Sequence, residues 1–425
     1  MLIKDIDDKT LDEFVYNSSK AHFMQTSAWG DVNKKRNYLI HKIGFYDGEE
    51  LKATALLLEK KILNYSTFYC PRGPILDYDN KELLKEVMND LKEFSSKHNG
   101  LYLRVNPDIV IRKLDEKANI KEVYEDKFEL IDYLKSLGLK HRGFTKKFNE
   151  SSAPRYTFRI DVDKTDEELL SSFHNTTKKI LKRNNPFKLE LYKGDHEDIK
   201  DFYNTMKETS LRKKMYVEPI EYFENFYDLL NNKGMSDIYL VKADIDTIKK
   251  IYEERITELE FEKDRVNKLT DKKKQTQLNE IHNKEVKLHK ELAILNETKE
   301  KELVLSSVIT AKFKDMVWLI HGGNLDSLQF LNANYELYYG IIKDAMSNGY
   351  KIVDFYGSEG EIDEKSPAYG IYLFKLRFGG DFIEFIGEFD IITKPLMNTL
   401  IQKALYLRRR YLIKKSLKDA DLAQG

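Results

Sequence analysis

The sequence predicts an α/β (α+β) protein made of two tandem copies of one mixed unit, the second copy opened by an inserted antiparallel coiled-coil hairpin. Three observations carry this expectation. At 425 residues the chain exceeds what one hydrophobic core usually supports. Two stretches far apart in sequence share one order of elements, an alternating hairpin followed by a helix, Asn-Gly and a strand. The run from Ala243 to Val304 contains no glycine and no proline and carries apolar residues at heptad spacing.

The first copy reads "HKIGFYDGEELKATALLLEKK", two alternating strands turned by "DGE". The helix "LLKEVMNDLKEFSSKHNG" then leads into the strand "LYLRVNP". The second copy has "DIYLVKA" and "SSVITAKFKDMVWLIHGG" as its strands, with "ELYYGIIKDAMSNG" leading into "YKIVDFYG". Where the first copy turns in three residues, the second inserts the long run. In that run Ile248, Tyr252, Leu259, Val266 and Leu269 fall on one seam, and Leu278, Ile281, Leu288, Leu292 and Leu295 on another, with "TDKKKQ" between them. Glu262 and Lys273 interrupt the seams. The expected boundaries are 1–152 and 153–395 for the two subdomains, 244–304 for the arm and 396–425 for a basic C-terminal helix or tail. A helix pair that merely braces the domain is the alternative reading of the arm. Hairpin, helix and strand in this order match the acetyltransferase-like (GNAT-like) fold, so acyl transfer is a candidate by fold analogy.

Composition narrows the class. Lys and Arg together number 71, as do Asp and Glu, so overall charge does not hold a nucleic acid and local patches must. The single cysteine, Cys70, excludes internal disulfides and thiol-rich metal sites, and the nine histidines lack zinc spacing, so no metal is expected. No apolar run approaches the roughly 20 residues of a membrane span, and "MLIKDIDDKTLDEF" is too acidic for a signal peptide, so a cytoplasmic protein is expected. A coenzyme A-dependent acetyltransferase needs a glycine-spaced loop that places backbone N–H groups on a pyrophosphate at a helix start. "HGGNLD" and "RFGGDF" have paired glycines without that spacing, which disfavours coenzyme A.

The blocks "HFMQTSAWGDV", "FYCPRGPILDY", "GLKHRGF", "PRYTFRIDV", "VEPIEYF", "VDFYGSEG" and "YGIYLFKLRFGGDFIEFIGEFD" occur in this order around the inserted hairpin. Together they resemble the Fem family of peptidoglycan-bridge aminoacyltransferases over nearly the whole length. The resemblance implies two acetyltransferase-like subdomains, a tRNA-binding arm, and transfer of amino acids from aminoacyl-tRNA to the stem-peptide amine of lipid II or UDP-MurNAc-pentapeptide, in cell-wall biogenesis and cell shape. It implies no cofactor beyond the aminoacyl-tRNA co-substrate. Association as a homodimer or with sibling transferases is expected, as is peripheral contact with the inner membrane leaflet, which the basic tail "LYLRRRYLIKKSLKD" suits.

The chemistry demands positioning, removal of a proton from an amine of pKa about 10.4, and cationic support for phosphates and the tetrahedral oxyanion. Lys375 interrupts an apolar, strand-like run, and the resemblance makes it the lysine supporting the reacting centre; Phe374 beside it lines the site or packs. Arg212 corresponds to an arginine that helps hold the precursor. Lys34 lies where relatives place a phosphate- or peptide-contacting lysine, with Lys35 or Arg36 as substitutes. Asn106 stands where some relatives carry an aspartate; an amide is no base, so it can only orient the amine. His321 replaces a tyrosine and is either a proton acceptor or a structural histidine. Asp354 and Tyr356 are expected to line the cleft, and Arg72 either to line the precursor site or to pair with Asp77. Lys272, Lys273 and Lys274 form the arm's densest basic run, and phosphate contacts are expected there. The readings to be separated are a tRNA-dependent aminoacyltransferase, a coenzyme A-dependent N-acetyltransferase and a non-catalytic coiled-coil adaptor.

Overall fold

The computed structural model describes residues 1–213, 216–269, 273–405 and 407. They form two units: Met1–Tyr156 with Glu359–Glu361 and the chain from Ile383 onward, and Thr157–Ser358 with Ile362–Phe382.

In the first unit the elements run β1 (Leu2–Asp5), α1 (Asp8–Asn17), α2 (Ser27–Lys35), β2 (Leu39–Asp47), β3 (Glu50–Ile62), β4 (Tyr65–Arg72), α3 (Lys81–Lys97), β5 (Gly100–Pro107), β6 (Val110–Leu114), β7 (Ile120–Val123), α4 (Glu125–Ser136) and β8 (Lys140–His141). Polar caps set the helix starts: Asp7 accepts from the Thr10 amide at 2.8 Å and Asn80 from that of Leu83 at 3.0 Å. Asp47 faces Glu50 across the β2–β3 turn, where Gly48 takes φ +59°. Helix α3 carries the chain over the sheet, so β5 lies parallel to β4.

The second unit repeats this plan. It enters through β9 (Tyr156–Asp161), α5 (Asp166–Ser172) and α6 (Asn175–Asn184), and then runs β10 (Glu190–Gly194), α7 (Ile199–Lys213), α8 (Ile220–Asn231) and β11 (Ile238–Asp244). The arm follows as α9 (Ile245–Asn267) and α10 (Lys274–Glu297). The plan resumes with β12 (Glu302–Phe313), β13 (Met316–Asn324), α11 (Ala333–Ser347) and β14 (Ile352–Asp354), which is parallel to β13. Edge strand, two helices, three antiparallel strands, a helix and a parallel strand therefore occur twice. Helix α12 (Tyr369–Leu376) and β15 (Asp381–Phe385) lead back to the first unit, where β16 (Phe389–Ile392) pairs with both β5 and β8. The expected boundary at residue 395 is thus too late. The pairing of Phe389–Ile392 with Tyr102–Val105 draws the end of the motif block into the first sheet.

The arm grows from the hairpin position. Asp244 faces Glu302 in the β11–β12 register, and its carboxylate also caps α9 through the Thr247 amide at 3.0 Å. Near its root the arm is anchored: Ile245, Ile248, Tyr252 and Ile256 are buried, and Tyr252 stacks on Phe187. Further out Lys263 pairs with Glu285 at 3.0 Å. Of the predicted seams, Val266, Ile281 and Leu295 are buried, whereas Leu269 is exposed.

The paired glycines serve close packing. A Cβ on Gly323 would lie 2.5 Å from the Met206 backbone nitrogen of α7, and one on Gly379, at φ +74°, would lie 2.1 Å from the Ser172 carbonyl oxygen. No helix among the described residues is long and apolar enough to cross a membrane.

Candidate active site

Strand alternation assembles the polar centre of the second unit. Asp354 ends β14 directly opposite Arg159 of β9, and their side chains pair at 2.8 Å. Two residues earlier on β9, Thr157 donates to the other Asp354 oxygen at 2.5 Å. That oxygen also accepts the Tyr356 amide at 2.8 Å, fixing Tyr356 at φ +42°, a conformation a bulky residue adopts only when held there. The turn so formed presents the Tyr356 and Gly357 carbonyls, and Lys375 donates to both, at 2.7 Å to the first.

Lys375 lies in α12 and not in a strand. The buried positions of α12 are Tyr372 and Lys375, three residues apart on one helical face, within an apolar run too short to be told from a strand by period. Only 5% of Lys375 is exposed. Burial drives its ammonium down to about 7; the Asp354 carboxylate opposes this and Lys213 adds to it. Lys213, at the end of α7, is itself lowered to about 8, first by burial and then by Arg212. An ammonium has three donors; two of Lys375's are engaged with these carbonyls, so one N–H can serve a further acceptor. Phe374 packs edge-on against Tyr335 and Tyr338, in the role of a spacer.

The structure thus brings Lys375, Asp354, Tyr356 and Phe374 together. Arg212 pairs with Asp326 at 2.7 Å. His321 is ringed by Tyr222, Phe223 and Phe226, with the Tyr222 hydroxyl at 3.2 Å from its Nε2. In the first unit Asn106 is buried and its Oδ1 accepts the Arg72 amide at 2.8 Å, holding Arg72 at φ +55°. Arg72 in turn donates to the Pro154 carbonyl at 2.9 Å and stacks over Phe385 at 4.4 Å. It does not pair with Asp77, which is exposed. Lys34 and Lys35 are exposed at the end of α2. Lys273 and Lys274 stand at the arm tip; Lys272 and most of the basic tail lie outside the described residues. The part of the tail that is described, 395–405 and 407, exposes Leu396, Leu400 and Leu407, spaced as one helical face.

Sequence reasoning missed the role of the acidic C-terminal block. Asp390 takes a bidentate pair from Arg104 at 2.7 and 3.1 Å and a further bond from Arg142 at 3.1 Å. Glu388 accepts the Ser152 amide at 2.6 Å, and Glu384 is held by Arg155, Arg112 and the Tyr156 hydroxyl. These three carboxylates are buried parts of the first unit's framework. The signal for Arg159 and Thr157 was present: "RYTFRID" alternates, so its polar residues share a face.

A duplicated acetyltransferase-like plan, a coiled-coil arm in the second hairpin and a lysine lodged on a strained turn define the class: a tandem acetyltransferase-like protein. The FemAB family model matches residues 6–405, and the chain belongs to that family. It is 29% identical over 406 residues to the lipid II:glycine glycyltransferase of Staphylococcus epidermidis, covering 92% of this chain and 93% of the relative. To the enzyme of the same name from Staphylococcus aureus it is 28% identical over 409 residues, with the same shares of each chain. The crystal structure of FemX matches with a TM-score of 0.74 at 26% identity, covering 94% of this chain and 100% of that one.

Proposed function

We propose that this protein transfers an aminoacyl group, glycine by analogy with its relatives, from aminoacyl-tRNA to the stem-peptide amine of lipid II. The observation that carries this reading is similarity over 92% of the chain to lipid II:glycine glycyltransferases, together with Lys375 lodged on the Asp354–Gly357 turn. In the transfer, the acceptor nitrogen attacks the ester carbonyl, the C–N bond forms and the C–O bond to the ribose breaks. The acceptor ammonium first gives one proton to solvent to become the free amine, and the second proton, lost as the amide forms, leaves with the ribose oxygen. An aminoacyl ester is already activated, so the protein's task is to position the reactants and to stabilise the oxyanion.

Lys375 does this as an ammonium. Its remaining N–H and its charge act in a desolvated setting, where they are worth far more than in water. Lys213 adds a second cation to the same region, and Arg212 helps to hold the precursor. Asn106 acts indirectly, by holding Arg72 in place. No cofactor takes part beyond the charged tRNA. The arm, with Lys273 and Lys274 at its described tip and Lys272 beyond, contacts tRNA, and the Leu396–Leu400–Leu407 face with the basic tail rests on the inner leaflet, where a lipid-linked acceptor lies.

Incubation of the protein with charged glycyl-tRNA and lipid II, followed by mass analysis, tests the reading. A product heavier by one or more glycyl residues is expected. Acetylation from acetyl-coenzyme A in place of tRNA-dependent addition would select the acetyltransferase, and no product from either donor would select the adaptor.

A further inference from the structure

The stretch from Phe173 to Leu189 holds five basic residues, Lys178, Lys179, Lys182, Arg183 and Lys188, and no Asp or Glu, in a chain whose formal net charge is zero. Most of this charge sits on α6. The helix is fixed at both ends. At its start the His174 amide and the Thr177 hydroxyl both donate to the Arg377 carbonyl, at 3.0 and 2.8 Å, only two residues beyond Lys375. At its end Arg183 donates to the Phe330 carbonyl at 3.2 Å, and its own carbonyl accepts from Arg255 of the arm at 3.2 Å. The Arg255 guanidinium lies 4.7 Å over the Phe187 ring. Thr177 and Asn184 are buried, while Lys179, Lys182 and Arg183 are exposed. None of Lys178, Lys179, Lys182, Arg183, Arg255 and Arg377 forms an ion pair with a carboxylate among the described residues.

We infer that α6 is the track on which the single-stranded acceptor end of the tRNA lies, leading from the arm root to Lys375. The inference rests on the proposed tRNA-dependent transfer. Ten residues at 1.5 Å each give a helix of about 15 Å, the length of about four phosphates of one stacked strand at 3.4 Å each. Unneutralised cations along such a line match a polyanion with regular charge spacing. An anionic membrane is the poorer match, because the exposed positions of α6 itself carry lysine and arginine and no large apolar side chain for insertion. The basic run at the arm tip is one expected set of phosphate contacts; α6 adds a second, beside Lys375.

The test is a variant combining Lys179→Gln and Lys182→Gln, which leaves the backbone bonds of Arg183 intact. Binding of a full-length tRNA transcript, of the same transcript lacking its single-stranded 3′ end, and of phosphatidylglycerol vesicles is measured from low to moderate salt. For full-length tRNA the variant is expected to bind about tenfold more weakly at 0.1 M salt, with a log–log salt slope lower by about 1.4, two contacts at 0.7 each. For the trimmed transcript the two proteins are expected to bind alike, and vesicle binding and the KM for lipid II are expected to be unchanged. Equal affinity of variant and wild type for full-length tRNA would overturn the inference while leaving tRNA-dependent transfer standing. Loss of vesicle binding alone would reassign α6 to the membrane, and absence of any tRNA binding by the wild type would remove both the inference and the reading beneath it.

Discussion

Strands β5 and β14 occupy equivalent places in the two units, each parallel to the last strand of a hairpin and each reached through a helix. Both carry near their ends a buried polar side chain that accepts the amide of a residue at positive φ: Asn106 holds Arg72, and Asp354 holds Tyr356. The chemistry differs. Asn106 is neutral, and what it supports is an arginine directed to a backbone carbonyl and an aromatic ring. Asp354 is an anion matched by Arg159, and the turn it supports receives a desolvated lysine. Each unit thus fixes a positive-φ residue through a buried acceptor, on the neighbouring strand in the first and in the following turn in the second, and only the second sets a titratable cation on the result.

The sharpest way to break this contrast is Lys375→Met. Turnover with charged tRNA and lipid II is expected to fall by about 10²-fold or more, because in the proposed transfer the charge acts only as the tetrahedral centre forms. Thermal stability at pH 6 is expected to be unchanged or higher. The sign follows from linkage: the folded value near 7 lies below the ordinary 10.5, so burying the ammonium costs stability below pH 7 and the cost is relieved as pH rises toward 10.5. The wild type should therefore gain stability over that range relative to the variant.

Asp390→Asn probes the other unit. Removing one partner of a buried bidentate pair is expected to cost about 3 kcal/mol in urea unfolding, while turnover per folded molecule stays within about twofold. Asp354→Asn should reduce turnover about tenfold and move the alkaline limb of the pH–rate profile to lower pH, since Lys375 loses the one anion that raises it. The smallest effect is expected at Glu336, whose carboxyl burial pushes up to about 7. Its folded value lies above the ordinary 4.5, so stability drains away as pH rises from 4.5 to 7. Glu336→Gln should match the wild type at pH 4 and exceed it by about 1 kcal/mol at pH 8, a figure reduced for the side chain's partial exposure.

Features with a local period were legible in the sequence. The heptads of the arm, the alternation of β11 to β13 and the two Asn-Gly exits identified the duplicated plan and the hairpin that the arm interrupts. Lys375 stood out in the sequence through the motif around it, but its helix was not legible, because eight residues of apolar character fit either period. Contacts between distant segments were also beyond reach. That Asn106 holds Arg72, 34 residues away, or that the acidic C-terminal block supplies Asp390 to Arg104, 286 residues away, depends on register and crossovers that no local pattern encodes. The basic run of α6 is a matter of composition, whereas its attachment to Arg377 and Arg255 depends on contacts between distant segments.

The contrast between the units stands or falls with the state of Lys375, which carbon-13 NMR of isotopically labelled lysine side chains reads directly. The expected result is two displaced lysine signals, one near pH 8 from Lys213 and one near pH 7, about three pH units below the exposed lysines, of which the latter disappears in Lys375→Met. If every lysine of the folded protein titrates in the ordinary range near 10.4, the second unit holds no desolvated cation, and the distinction drawn between Asn106 and Asp354 is wrong.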